Sequence, residues 1–557
     1  MISCAVMAVV GFVKMMGQIS LIALWIAVFL THGSADNGKT EVNTPLGKII
    51  GKTVDFNGIS VKTYQGISFV KPPVGDLRFK KPQPVEPWGD VPFVADHLPP
   101  GCVQYSSNPF PWLDDLPGQS LDCLYLNVWA PADAGPSCQK PVMFFMHGGG
   151  FRIGSSRLDY YDGRTLAALG DVVVVTTNVR LGVEGFLYAG TEDAPGNMGL
   201  YDLLEALKWT NTYIENFGGN RDSITYFGQS SGAIAGGMLM TSPLARNLFA
   251  RAIFQSGSTA NLDGEVNDRD FELSQGVAKA VNCTPGEQTL SNDPEKVIAC
   301  LRGKDALELA KTVGRVSDNP QRGLYPRFDD EILPTNARQQ IIQGNFTNID
   351  ILIGNNKDEG STMITKANKE IFGFFGDKTD RVNKSLGEQL VRSSFKGFRG
   401  VDAVVEHYLG SVIEDDEKEV LQQVLTASGD YARLCPCTYL ADSVAANGNR
   451  VYYYQFTHRP TPTPWAPWMG VVHFDETPFV FGYPLRYPEN YSEDERDLSR
   501  RMIAIWTGFA KNGTLKNWPL YSRSNPNYRT FDTNDENFGT GPHLDNCNFF
   551  RSYFGFL

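Results

Sequence analysis

The sequence predicts an α/β protein in which a large, mostly parallel central sheet is covered by helices on both faces. Three features predict it: short apolar runs that do not alternate with polar residues, amphipathic stretches between those runs, and a globular composition. The runs are Val142 to Met146, Val172 to Thr177, Ile224 to Phe227, Ala252 to Gln255, Ile351 to Ile353 and Val451 to Phe456. Such runs fit strands buried on both faces, where neither side meets water. Between them, Leu200, Leu203, Leu204, Leu207 and Ile214 recur at the spacing of one helical face. So do Leu498, Met502, Ile505 and Phe509, a stretch opened by a capping-box pattern at Ser492 and Glu495 and stopped by Asn512-Gly513.

Composition sets the limits. Of 557 residues, 42% are apolar and 20% charged, which excludes a disordered chain or a coiled coil. Asp and Glu total 62 against 50 Lys and Arg, for a net charge of −12, and no basic stretch stands out to neutralise a phosphate backbone. Nucleic acid is therefore not an expected partner. No repeat, low-complexity segment or linker divides the chain, so residues 36–557 are expected to form a single domain.

Residues 1–35 read as a secretory signal. Lys14 is the only charge before Asp36 and precedes the apolar run Ile19 to Leu30, which is followed by the small residues Gly33, Ser34 and Ala35. That run is shorter than the roughly 20 residues of a spanning helix, and no second one follows, so no membrane span is expected in the mature chain. Glycosylation motifs at Asn282, Asn345, Asn383, Asn490 and Asn512 agree with export. Of nine cysteines, Cys4 leaves with the signal, and the remaining eight suit disulfides, although they allow about a hundred pairings. A zinc site has little support, because no C-x-x-C pair occurs and the histidines are scattered.

Two glycine motifs end predicted strands. Gly228-Gln229-Ser230-Ser231-Gly232 follows the run ending at Phe227, and glycines on both sides of Ser230 permit a sharp strand-to-helix turn that exposes its hydroxyl. His147-Gly148-Gly149-Gly150 follows the run ending at Met146, and residues without side chains let backbone N–H groups approach a developing oxyanion. A serine nucleophile needs a base and an acid to orient that base. His473, in a loop beyond the last predicted strand, is the base candidate; Asp358 and Glu359, just past Ile351 to Ile353, are the acid candidates. The order Ser, acid, His is that of α/β-hydrolases.

Over nearly all of Thr44 to Leu557 the chain resembles the cholinesterase and carboxylesterase family, the type-B carboxylesterases. The resemblance rests on Tyr64-Gln65-Gly66-Ile67, Asp122-Cys123-Leu124-Tyr125-Leu126-Asn127, Gly196-Asn197-Met198-Gly199-Leu200, Asn216-Phe217-Gly218-Gly219, Gln255-Ser256-Gly257-Ser258, and the Trp-Met-Gly-Val run before His473. It implies an α/β-hydrolase fold, Ser230 as nucleophile, Glu359 as acid, His473 as base, and the amides of Gly149, Gly150 and Ser231 as oxyanion hole, with no cofactor and no metal. It also implies disulfides Cys102–Cys123, Cys283–Cys300 and Cys435–Cys547, leaving Cys138 and Cys437 free or paired with each other. Trp112, Phe151, Trp209, Gln229, Thr362 and Phe474 are the implied substrate-pocket residues.

Departures from the family pattern bear on the substrate. Gln229 stands where cholinesterases carry an acid, Thr362 and Met363 where they place aromatics, and Asp318 to Arg322 lacks the aromatic pair of their acyl pocket. A quaternary ammonium loses attraction at each of the first two positions. Leu121 stands where the family has an acid that pairs with Arg78, so that salt bridge is expected to weaken; Phe474 replaces a usual glycine. The reading is thus a secreted carboxylesterase for small neutral esters. The alternatives are an acetylcholinesterase-like or juvenile-hormone-esterase-like specialist and, third, a non-catalytic adhesion or ligand-trapping relative. Oligomeric state is not readable.

Overall fold

The computed structural model describes residues 38–106, 118–261, 266–317, 323–534 and 537–556. The proposed signal, Trp112 and the 318–322 segment lie outside the described residues.

Thirteen strands form one sheet: β1 (Lys39–Thr44), β2 (Gly47–Phe56), β3 (Ile59–Ser68), β4 (Gly89–Val94), β5 (Tyr125–Pro131), β6 (Lys140–Met146), β7 (Val173–Thr177), β8 (Gly219–Gln229), β9 (Arg251–Gln255), β10 (Asp350–Asn356), β11 (Val451–Phe456), β12 (Asn527–Phe531) and β13 (Phe538–Thr540). Their spatial order is β1-β2-β3-β5-β7-β6-β8-β9-β10-β11-β12-β13, with β4 beside β2. From β7 to β12 every neighbouring pair is parallel. The sheet closes at both ends with antiparallel strands that the apolar runs did not reveal. At that margin β1 and β2 carry exposed polar residues, so they lack the continuous apolar signature of the centre.

Strand alternation divides the core into two layers. Val142, Phe144 and Met146 of β6 point into one layer; Met143 and Phe145 point into the other. Ile351 and Ile353 of β10 join the first layer, and Leu352 the second. The first is covered by helices α1 (Met198–Tyr213) and α2 (Ser231–Thr241), through Leu200, Leu203, Leu204, Leu207 and Met238. The second is covered by a helix over Glu493–Asn512, through Leu498, Met502, Trp506 and Phe509. That helix starts at the expected capping box, with Ser492 and Glu495 exchanging both hydrogen bonds, and stops at Gly513 in a left-handed conformation.

The three expected disulfides are present, closing separations of 21, 17 and 112 residues. A Cys138–Cys437 bridge is not: Cys437 is a buried free thiol, contacted by Asn355 Nδ2 at 3.5 Å and pushed up to about 12 by burial. Arg78 also departs from expectation. Glu184 pairs with it through both guanidinium arms at 3.0 and 2.5 Å, and the Arg302 and Lys304 carbonyls accept from Nη1. Glu184 supplies the charge that Leu121 lacks, so the bridge is retained.

Candidate active site

The parallel register places both glycine motifs at the same edge. Gly228 of β8 pairs with Met146 of β6, so the 147–150 loop and the turn at Ser230 leave adjacent strands side by side. Ser230 sits between β8 and α2 at φ 56° and ψ −121°, a conformation that costs a non-glycine residue about 1–3 kcal/mol and that the surrounding packing must impose. Glycine is obligatory around it. A Cβ on Gly232 would lie 2.1 Å from the Met146 carbonyl oxygen, and one on Gly148 would lie 2.3 Å from Gln229 Oε1 and 3.0 Å from Ser230 Cβ. Gly149, at φ 119°, has the Ile153 carbonyl where a Cβ would be. Ser231 begins α2, so its N–H is one of the unsatisfied amides of a helix N-terminus.

His147 is wholly buried beside this loop. Burial pulls its imidazole down to about 4, so it is neutral at ordinary pH, and its Nδ1 lies 2.7 Å from the Gly148 carbonyl oxygen.

Glu359 and His473 come from two further strand ends. Glu359 follows β10, and His473 ends a long loop after β11. The His473 Nδ1 to Glu359 Oε2 distance is 2.6 Å, and the Asn356 N–H donates to Glu359 Oε1 at 2.9 Å. Burial opposes the charge on Glu359, but the imidazole and these donors outweigh it and hold the carboxyl below its ordinary value. The Asn356 side chain donates to the Val472 carbonyl at 2.6 Å and to Glu476 at 2.7 Å, Asp358 accepts from the Val471 N–H at 2.9 Å, and Ser361 donates to the Met469 carbonyl at 2.7 Å. Asn356 at the end of β10 and Asp358, Glu359 and Ser361 just beyond it thereby fix the imidazole-bearing loop.

Sequence reasoning passed over two buried acids here. Glu476 accepts from Gln255 at 3.1 Å as well as from Asn356; burial and then the Glu359 charge raise its carboxyl. Asp475 accepts from the Val472 N–H at 2.8 Å and is raised well above its ordinary value, chiefly by burial. Their place in the motif His473-Phe474-Asp475-Glu476 was the available signal.

The pocket candidates separate. Gln229 is buried, and its Nε2 lies 3.2 Å from His473 Nε2, so the amide occupies the imidazole face that a serine proton would approach. Thr362 is buried in α3 (Ser361–Ala367), immediately after the Glu359 segment. Phe151, at φ 58°, packs edge-on against Phe186 and Tyr325. Phe474 holds φ 93° and meets Tyr160 and Tyr161 edge-on, so the chain adopts at this position the backbone that glycine favours. Trp209 does not belong to the site. It packs on Tyr213 and Phe217, next to the start of β8, the end opposite Ser230.

The asparagines of the five N-x-S/T motifs are all exposed. Among the described residues no helix is long and apolar enough to cross a membrane, and no group of three or more His, Cys, Asp or Glu is placed to hold a metal ion.

Comparison with known proteins agrees with this geometry. The carboxylesterase family model matches residues 38–550. The chain is 40% identical to acetylcholinesterase-1 of Trittame loki, over 92% of this chain and 94% of that protein. It is 34% identical to acetylcholinesterase 1 of Caenorhabditis elegans (89% and 85% covered) and to the acetylcholinesterase of Bungarus fasciatus (89% and 83%). A match spanning the whole sheet and the turn at Ser230 shows the family directly: the chain belongs to the carboxylesterase family and is a carboxylic ester hydrolase.

Proposed function

We propose that this chain is an exported serine esterase, a single catalytic domain behind a cleaved signal, that hydrolyses small neutral carboxylic esters in preference to choline esters. The observation that carries the reading is the 2.6 Å Glu359–His473 contact at the same sheet edge as the strained Ser230 turn and the Gly148 to Gly150 loop. Ser230 is the nucleophile. His473, its Nδ1 proton held by Glu359, takes the serine proton at Nε2 as Oγ attacks the ester carbonyl, and the Gly149, Gly150 and Ser231 amides receive the oxyanion. Each such donor contributes about 3 kcal/mol to transition-state stabilisation. The alcohol leaves with the proton from His473, and water activated by the same imidazole releases the acid. The resting contact between Gln229 and His473 Nε2 gives way to Ser230 when substrate fills the site, since hydrogen bonds of unliganded sites are often imperfect.

The preference for neutral esters rests on Gln229 and Thr362, which offer a quaternary ammonium neither a charge nor a ring. Export and glycosylation are supported by three disulfides and five exposed acceptor asparagines. Choline-ester hydrolysis is the second reading, favoured by the acetylcholinesterase names of the relatives. The test is a panel of nitrophenyl esters and acetylthiocholine with wild type and Ser230→Ala, together with labelling by an organophosphate. Ser230→Ala is expected to lose both hydrolysis and label. Equal labelling of the two proteins refutes the nucleophile assignment, and faster turnover of acetylthiocholine than of neutral acetates selects the second reading.

A further inference from the structure

Three cations converge on the sheet edge that carries the site, in a chain whose net charge is −12. Arg152 follows the oxyanion glycines by two residues, and its Nε lies only 4.0 Å from where a Gly150 Cβ would be. Lys366 is carried on α3, one turn beyond Thr362, and its Nζ sits 5.6 Å from the centre of the Trp465 ring. Arg433 belongs to the π-helical turn Asp430–Leu434, which follows Gly429; a Cβ on Gly429 would lie 3.4 Å from Glu359 Cβ.

The Arg433 turn is tied to the nucleophile through one short segment. The Ser230 N–H donates to the Gln255 carbonyl at 2.7 Å, and a Cβ on Gly257 would lie 2.2 Å from the Ser230 carbonyl. Further along that segment, Ser258 Oγ donates to the Pro436 carbonyl at 2.7 Å and Asn261 to the Ala432 carbonyl at 3.1 Å. Arg433 is half-buried, its Nη1 bonds only the neighbouring Ala432 carbonyl at 2.8 Å, and its buried Nε makes no hydrogen bond. Among the described residues it makes no ion pair. A guanidinium held in this way has donors to give.

We propose that Arg433, with Lys366 and Arg152, forms a subsite for an anionic group, so that the enzyme prefers esters bearing a carboxylate a few bonds from the scissile carbonyl over their neutral isosteres. This rests on the esterase reading and names a substrate class for the same site. Electrostatics agree. Burial, and then the charges of Arg433 and Arg152, pull Lys366 down to about 7; an anion among the three reverses the effect of the like charges. The Trp465 face, which could attract a ligand ammonium, already faces Lys366. The same cluster repels choline, in line with the preference argued from Gln229 and Thr362.

The experiment compares two matched pairs: 4-nitrophenyl hydrogen glutarate against its methyl ester, with the charge on the acyl side, and 4-acetoxybenzoate against its methyl ester, with the charge on the alcohol side. At low salt, kcat/KM for the anion is expected to exceed that for the neutral partner at least about tenfold in one pair. The ratio should fall towards one in Arg433→Gln and Lys366→Met, and in wild type as salt screens the charges. Neutral esters cleaved as well as anionic ones in both pairs, with no salt dependence, overturn the subsite and leave the esterase reading intact. Should wild type cleave neither member, the esterase reading fails. Calorimetric titration of Ser230→Ala with both pairs then decides the subsite alone: tighter binding of an anionic member supports it, and equal binding overturns it.

Discussion

Glu359→Gln isolates what the acid does for the base. The substitution preserves size but replaces one carboxylate oxygen by an NH2 group. The Asn356 N–H, 2.9 Å from Oε1, requires an acceptor there, so the amide oxygen stays on that side and the NH2 turns to His473 Nδ1, where Oε2 stood at 2.6 Å. A donor facing Nδ1 makes that nitrogen the acceptor and moves the ring proton to Nε2, the atom proposed to take the serine proton. An imidazole in the wrong tautomer costs about 10⁴-fold in kcat, equivalent to about 5.5 kcal/mol at about 1.4 kcal/mol per decade. The assay is nitrophenyl acetate hydrolysis by wild type and variant, with thermal unfolding to show that the variant folds. Linkage gives an independent check. The Glu359 carboxyl is held below its ordinary value of 4.5, so its stabilising contribution is complete above that pH and is lost as pH falls through the folded-state value. The stability gap between wild type and Glu359→Gln should therefore close on acidification below pH 4.5. A folded variant that keeps more than about a tenth of wild-type kcat, far above the loss expected for the wrong tautomer, refutes the tautomer argument.

Gly232→Ala should lower kcat about 10²-fold or more, because the new Cβ must displace Met146 O, from which it would lie 2.1 Å, and with it the start of the oxyanion loop; nitrophenyl acetate kinetics on folded variant check it. Removing Cys435–Cys547 should destabilise more than removing either other bridge, since chain entropy assigns about 4.7 kcal/mol to a loop of about 100 residues and about 3 kcal/mol to one of about 15; denaturant titration of the three paired-alanine variants orders them. Gln229→Glu with Thr362→Phe should raise acetylthiocholine turnover relative to neutral acetates about tenfold, each cation–π contact being worth about 0.5–2 kcal/mol; an unchanged ratio of kcat/KM values refutes that origin of selectivity.

The parallel centre of the fold was legible because burial on both faces leaves a continuous apolar run, and each predicted run lies in or against an observed strand: Ile224 to Phe227 in β8, Ile351 to Ile353 in β10, Val451 to Phe456 as β11 itself. The helix at Glu493–Asn512 was legible at both ends because its stop signals are local: a capping box and a glycine. The antiparallel margin was not, because a strand such as Lys39–Thr44 with one exposed face is too short to show alternation above chance. The glycine motifs were legible for a related reason. The demand for no side chain at Gly148 or Gly232 is set by contacts that only glycine satisfies, so the residue type itself records the geometry.

What the sequence hid is the choice of partner across long separations. Arg78 announces that an acid must meet it, yet nothing local says that Glu184 does so rather than a residue near Leu121. Trp209 looks like a pocket aromatic until the direction of β8 puts Phe217 and Ser230 at opposite ends of one strand. Gln229 reads as the loss of a charge, but its amide meets His473 across 244 positions, which gives the substitution a direct influence on the base. Charge is hidden most completely, because a sum over the chain discards position. A net charge of −12 gives no hint that Lys366 feels the charges of Arg433 and Arg152, the latter beside Gly150. The field that a substrate meets is set by such neighbours within about a Debye length and not by the total. The selectivity proposed for this enzyme therefore draws on the three cations and the neutral Gln229 together: the first favour a negative group in the site, and the second withdraws the attraction for a positive one.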